Sequence, residues 1–240
     1  MLGKLHRETL AEQAATSLMN YIRTRNLQPG DTLPSEAELV TEFGVSRQVI
    51  REALKSLQGK GVIEIINGKR PTIKPISSEL LQTFFTHAAH FNHHTIIELI
   101  EVRKGIEVQS AMLAAQRRSE TELAHMEEIL AAMRRSVGAI DTDIDTSVDT
   151  YIQLDVALHQ AIATATHNSM MYHLIHSIRS ALIETIREGL LHRHTSEEIE
   201  RVQEVHEMLV AAIREGNAPA AAQTMAVHFD EALTALMKDA

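Results

Sequence analysis

The chain is 240 residues long, with a formal net charge of −9, 44% apolar residues, 3% aromatics, no tryptophan and no cysteine. That length accommodates one small and one larger domain. The lack of cysteine excludes a disulfide framework and a thiolate metal site; scarce aromatic rings argue against base-stacking on single strands; with neither a signal-type start nor a membrane-length apolar run, a cytoplasmic location is expected.

In chain order, MLGKLHRETLAEQAATSLMNYIRTRN reads as an amphipathic helix. Residues 33–57, LPSEAELVTEFGVSRQVIREALKSL, read as two short helices joined by a tight turn. Ser35 with Glu38 is a capping box that starts the first. Ala37, Leu39, Val40 and Phe43 supply its apolar side, and Gly44 suits the turn because it takes φ > 0 without a Cβ clash. Ser46 caps the second helix, in which Val49, Ile50, Ala53, Leu54 and Leu57 recur at helical spacing and are expected to face inward. Arg47, Arg51 and Lys55 then share one outward edge, with Gln48 beside it. A capped helix, a glycine turn and an apolar-backed cationic helix make a helix-turn-helix.

Val62 to Ile66 and Pro71 to Lys74 are β-rich and flank Asn67-Gly68, a hairpin signal. Lys69 and Arg70 follow the turn, so the hairpin is a basic-tipped wing that can reach DNA. Charge partition agrees. Residues 1–75 hold 11 Lys and Arg against 8 Asp and Glu, a net of +3, and the remainder holds 12 against 24, a net of −12. Basic charge is what phosphate neutralisation requires.

After Pro75 the apolar period becomes helical and stays so. About seven segments are predicted, near 78–91, 95–117, 120–137, 147–165, 169–190, 196–215 and 218–238, with DTDIDT at 141–146 as a loop. Ser119 with Glu122 and Thr195 with Glu198 are capping boxes, Asn168 is an N-cap, and Gly216-Asn217-Ala218-Pro219 ends one helix and starts the next. The expected fold is mostly α: a winged helix-turn-helix over 1–75, then an antiparallel helical bundle over 78–240.

Histidine is abundant, and 13 of the 14 lie beyond residue 75. Asp155 and His159 are four apart, on a face shared with Ile152 and Ile162 that should point into the bundle. Such groups are costly to bury unless paired or bound to a cation. His206 and His228 lie on apolar stretches of the sixth and seventh segments, so three helices can offer one carboxylate and three imidazoles to a common point. Zn²⁺, Ni²⁺ or Mn²⁺ suits that set. His87, His90 and His94, His173 with His176, and His192 with His194 are competing sets, and periodicity alone does not choose among them.

Taken together, residues 10–237 resemble the GntR family of bacterial transcription regulators, in its FadR-like branch with the helical FCD ligand-binding domain. LPSEAELVTEFGVSRQVIREALKSLQGKGVIEI is similar to the family's helix-turn-helix, EVRKGIEVQSAMLAA to the opening helix of the second domain, Asp155-Val-Ala-Leu-His159 to its Asp-x-x-x-His motif, and the stretch from His206 to His228 to its paired-histidine motif. The resemblance implies that Arg47 and Arg51 make the main DNA contacts, assisted by Ser35 and the wing residues, here Lys69 and Arg70; Gln48, beside the cationic edge, is a further candidate. It implies Asp155, His159, His206 and His228 as ligands of a divalent ion, Zn²⁺ first, and Arg103 as a clamp on a carboxylate effector, with Arg179 and Arg187 as further candidates for the pocket. Ala37 stands where many members carry an arginine, and the wing reads GKRPT where a second glycine is common. The expected protein is not an enzyme. It is a homodimeric regulator, a repressor of a palindromic double-stranded operator released by an organic acid. Two other readings are a regulator for which the ion is itself the signal and a helical metalloenzyme with a DNA-binding appendage; no HExxH motif or evident general base favours the latter.

Overall fold

A computed structural model describes residues 8–91, 93–138, 144–191 and 196–238. The chain divides into two units, Met1–Leu80 and Leu81–Ala240. No described helix is long and apolar enough to cross a membrane.

In the first unit α1 (Leu10–Thr24), α2 (Glu36–Phe43) and α3 (Arg47–Gly59) precede a hairpin of β1 (Ile63–Glu64) and β2 (Thr72–Ile73). Each helix starts on a hydroxyl cap: Thr9 and Ser35 form full capping boxes with Glu12 and Glu38, and Ser46 accepts from the Val49 N–H. Ala14, Ala15 and Leu18 of α1 meet Ile50, Ala53, Leu54 and Leu57 of α3 over Leu33, Leu39, Ile63 and Ile73. Val49 is half-buried, and Ala37, expected on the inner side of α2, is exposed. Gly44 ends α2 at φ 64, in the left-handed region.

The wing departs from expectation in two ways. Its strands pair for only two residues each, Ile63 with Ile73 and Glu64 with Thr72. The turn closes through Lys69 N–H to Ile66 O at 3.0 Å, with Gly68 at φ 78 and Asn67 in the ordinary negative-φ range. The favoured two-residue hairpin turns need positive φ at their first central residue, which Asn67 lacks, so the tip opens into a longer loop. The other edge of β2 is covered: Gly30 and Leu33 donate to Ile73 O at 2.9 Å and Pro71 O at 2.8 Å, and Ile73 donates to Asp31 O at 2.8 Å. That pairing protects an otherwise open strand edge.

The second unit holds all but the first two residues of α4 (Glu79–Phe91), then α5 (His93–Arg117), α6 (Glu120–Val137), α7 (Ile144–Ala165), α8 (Ser169–Leu191), α9 (Ser196–Arg214) and α10 (Ala218–Lys238). α5 packs along α10 and α7, α6 lies on α7 and α9, and α7 lies on α8. Met126, Met133, Tyr151, Leu158, Ile162, Leu209, Ile213, Met225 and Phe229 fill the centre. Ser119 boxes with Glu122, Asn168 Oδ1 accepts from Met170 N–H at 3.1 Å, and Asn217 Oδ1 accepts from Ala220 N–H at 3.2 Å. One boundary is corrected. α7 begins at Ile144, inside the stretch expected as loop, because Asp and Thr favour the first turn of a helix as readily as a loop. Residues 141–143, the Thr195 cap, His192 and His194 lie outside the described residues.

A Cβ built on Gly44 meets nothing within 4 Å, so any cost of adding one is backbone strain alone. Gly44→Ala should destabilise the first unit by about 1–2 kcal/mol, visible as an earlier midpoint in urea. An unchanged midpoint would mean that the turn does not require the left-handed conformation.

Candidate DNA-reading face and candidate metal centre

Burial of Ile50, Ala53, Leu54 and Leu57 fixes the rotation of α3, and this turns Arg47, Gln48, Arg51 and Lys55 outward. They are not equally free. Arg51 Nε donates to Glu36 Oε2 at 3.0 Å, and the Arg70 guanidinium donates to Glu38 Oε1 at 2.8 Å. Gln48 donates to Glu52 at 3.0 Å. Arg47 and Lys69 are exposed and form no ion pair among the described residues. Ser35 uses its hydroxyl as the cap of α2, accepting from Glu38 N–H at 3.3 Å. Glu38 serves twice, as the returning half of that box and as the acceptor for Arg70. The Ser35 N–H, then the Ser35 hydroxyl and Arg70, hold its carboxyl below the usual range. Exposed pairs contribute about 0–1 kcal/mol, so their effect here is to orient cations rather than to stabilise the unit. Glu36 and Glu38 gave no sign of this pairing in the sequence, since their partners lie 15 and 32 residues away.

In the bundle, Asp155 and His159 of α7, His206 of α9 and His228 of α10 each bring one donor atom to a common point, all within 4.8 Å of one another. The first three residues are buried and His228 is half-buried. Asp155 Oδ1 lies 3.5 Å from His159 Nε2 and 3.2 Å from His206 Nε2. Neither ring nitrogen has a hydrogen-bond partner. Donor atoms sharing one small divalent ion at about 2.0–2.1 Å sit roughly 3 Å apart, so these two separations are close to those such an ion requires. No other group of described residues gathers three such donors. His94 is an exposed neighbour of Glu98, and His176 takes Gln160 as a partner while stacking on Tyr172.

The surroundings are charged and dry. Asp155 Oδ2 accepts from the buried Arg179. Burial alone would raise the Asp155 carboxyl, but Arg179 and then His159 overcome it and hold the group well below its usual range. Glu107 of α5 is treated the same way: burial pushes up, Arg103 and His159 pull down further, and the carboxylate stays ionised. Burial depresses His206, and burial with the neighbouring His206 and His159 depresses His228 strongly. Neutral rings present lone pairs to a metal. Four residues with N₃O chemistry, two donor separations close to those a shared ion requires and two orphaned nitrogens fit a divalent cation, which they would hold as a Lewis acid, with a position for a further ligand where the ion takes five or six donors.

Arg103 is buried rather than on the helix surface. Its Nε donates to Glu107 Oε1 at 2.8 Å and its guanidinium lies 5.0 Å from the Phe229 ring centroid. Two further contacts to the cluster, one from the helix partner of Arg103 and one from a tyrosine, are not evident in the sequence. Glu107 accepts from His159 Nδ1, and Tyr151 Oη shares a hydrogen bond with His206 Nδ1 at 3.3 Å. Their spacing was the available signal: Glu107 is one turn after Arg103, and Tyr151 is one turn before Asp155. The side chain of Arg187 lies outside the described residues.

Comparison with known proteins follows the same division. Residues 10–73 match the family described as bacterial regulatory proteins, gntR family, and residues 98–231, more than half of the chain, match the FCD domain. The HTH-type transcriptional regulator LutR of Bacillus subtilis is 32% identical over 211 residues, spanning 86% of this chain and 92% of that protein. The galactonate operon transcriptional repressor of Escherichia coli is 28% identical over 204 residues, 81% of this chain and 82% of that protein. Among solved structures, a GntR protein of Streptococcus agalactiae superposes with a TM-score of 0.66 at 25% identity, covering 93% of this chain and 99% of that one.

The depressed histidines set a sign for pH dependence. Between their folded values and the unfolded value near 6.5, the unfolded chain binds protons that the folded chain refuses, so stability falls as pH falls. Each of His206 and His228 contributes at most about 1.4 kcal/mol per pH unit in that window. Asp155 and Glu107, both held low, act with the same sign below about pH 4. The metal-free protein should therefore melt at lower temperature at pH 5.5 than at pH 7.5, and a flat profile would contradict this electrostatic description.

Proposed function

The chain belongs to the GntR family of bacterial regulatory proteins, with an FCD domain after its winged helix-turn-helix, and we propose that it is a homodimeric repressor released from a palindromic operator by a metal-anchored carboxylate. Residues 1–75 are the DNA-reading domain and 78–240 the sensing and dimerising domain. In this reading Arg47, Gln48 and Arg51 enter the major groove, and Ser35, Lys69 and Arg70 meet backbone or groove edge. Two copies present two recognition helices to successive half-sites.

The observation that carries the sensor half is the convergence of Asp155, His159, His206 and His228 with two ring nitrogens that lack hydrogen-bond partners. These residues would hold a divalent ion, Zn²⁺ first and Ni²⁺ or Mn²⁺ next. The ion supplies Lewis acidity for a carboxylate or α-hydroxycarboxylate oxygen. Arg103 supplies the clamp on a second oxygen pair, in exchange for part of its bond to Glu107. That the E. coli relative is named for galactonate supports a sugar acid or a similar organic acid as the ligand class, and favours an acid over the ion itself as the signal. The family is one of regulators, which leaves no role for the helical metalloenzyme reading.

A hundredfold change in operator occupancy requires the acid to prefer one state of the dimer by about 2.7 kcal/mol. The test is a thermal-shift screen of metal-loaded and chelated protein against organic acids, followed by DNA release with any hit. Stabilisation present only with metal supports the anchored carboxylate. A metal shift with no acid hit transfers the signal to the ion. For the DNA half, Arg51→Ala should weaken operator binding by about 1–3 kcal/mol, and unchanged affinity in a gel-shift series would remove Arg51 from the contact set.

A further inference from the structure

The two fully buried histidines of the cluster are each gripped at the ring nitrogen that faces away from Asp155. His159 Nδ1 is taken by Glu107 Oε2, from α5. His206 Nδ1 is taken by Tyr151 Oη, from α7, at 3.3 Å. In both rings this leaves Nε2 directed at Asp155 Oδ1, 3.5 Å and 3.2 Å away and out of hydrogen-bonding alignment. Glu107 is 1% exposed, and its other oxygen accepts from Arg103 Nε at 2.8 Å. An ion pair with Arg103 would by itself compensate the buried carboxylate. The second oxygen is nevertheless committed to the histidine, from a helix that provides no ligand of its own.

The two grips differ in what they can enforce. A carboxylate only accepts, so the ring proton that meets it sits on His159 Nδ1, and of the two neutral tautomers this selects the one whose lone pair is on Nε2. A phenol both donates and accepts, so Tyr151 accommodates either tautomer of His206 while holding the ring plane. A negatively charged partner at the far nitrogen also makes the near one a stronger donor, the effect seen where a carboxylate backs a metal-bound histidine.

We infer that Glu107 is the positioning residue of the metal centre, setting the tautomer and donor strength of His159, and that Tyr151 holds His206 in orientation with a weaker, neutral bond. This rests on the metal-binding reading above and adds two residues to it, neither of which touches the ion. It also assigns an order. Removing the charged partner costs more metal affinity than removing the neutral one.

The experiment is a competition titration of full-length protein with Zn²⁺ against a chromophoric chelator. Wild type, Glu107→Gln, Glu107→Asp and Tyr151→Phe are compared, with far-ultraviolet circular dichroism and the melting temperature of the metal-free form as controls. Glu107→Gln keeps the shape and an acceptor oxygen but loses the charge. Its Zn²⁺ affinity should fall about 10–100-fold, with helix content unchanged and a smaller loss for Tyr151→Phe. Should Glu107→Gln not fold, Glu107→Asp carries the test: the shortened carboxylate withdraws from His159 Nδ1, and affinity should fall while charge is conserved. A purely structural role predicts a lower apo melting temperature with Zn²⁺ affinity within twofold of wild type, and that result overturns the assignment. A Tyr151→Phe loss equal to or larger than that of Glu107→Gln overturns the order. If wild type itself takes up no Zn²⁺, the metal reading falls and this inference with it; wild-type uptake with unaffected variants removes the inference alone.

Discussion

One carboxylate taken out of water organises the interior of the bundle. A buried, uncompensated charge costs several kcal/mol, and Asp155 is only half answered by the protein: Arg179 satisfies Oδ2, while Oδ1 faces two ring nitrogens at distances and angles that make no hydrogen bond. A polar cluster left in this state is destabilising unless something occupies the gap between its donors. Around it the apolar layer of Leu158, Ile162, Leu209, Met225 and Phe229 is closely built. That layer supplies the stability that the cluster does not, and keeps the donors from collapsing onto one another. The same low-dielectric surroundings that make an unpaired charge costly would strengthen a cation's hold on these donors.

The four buried charges near this point form one connected set rather than two separate pairs. Arg179 binds Asp155, Asp155 faces His159, His159 binds Glu107, and Glu107 binds Arg103. A ligand that draws Arg103 toward itself would therefore act on a carboxylate that also holds His159. In the first unit, by contrast, the charges are exposed and individually weak. Glu36 and Glu38 hold Arg51 and Arg70 in place without contributing much stability. A DNA phosphodiester offers the same kind of partner, one negative charge shared by two oxygens.

The parts that were legible in the sequence are those controlled by local rules. Hydroxyl caps, the left-handed Gly44 and the helical period of apolar residues placed α2 and α3 and nearly all of the bundle helices, because capping and amphipathicity act within a few residues. Asp155 and His159 were visible as a pair for the same reason, four residues apart on one helix. The choice of His206 and His228 over the His87–His94 and His173–His176 sets was not local, since it depends on where three helices converge, and only resemblance to a family supplied it. Tyr151, Glu36 and Glu38 went unread as partners, and so did the bond of Glu107 to His159, because these contacts lie between residues far apart in the chain, whereas the Arg103–Glu107 pair sits four apart on one helix. The start of α7 was missed because Asp and Thr serve helix starts and loops alike, and the short wing strands because an Asn-Gly pair does not force both residues to positive φ.

The central claim is that the four converging residues form a divalent metal site with positions open to an organic acid. Titration of Co²⁺ into the chelated full-length protein, followed by visible absorption and then by addition of a carboxylate ligand, tests both halves at once. The account predicts saturation at one ion per chain, a spectrum distinct from aqueous Co²⁺, and a change in that spectrum when the acid binds. A spectrum indistinguishable from the free ion, or a saturated site that no carboxylate perturbs, would contradict it.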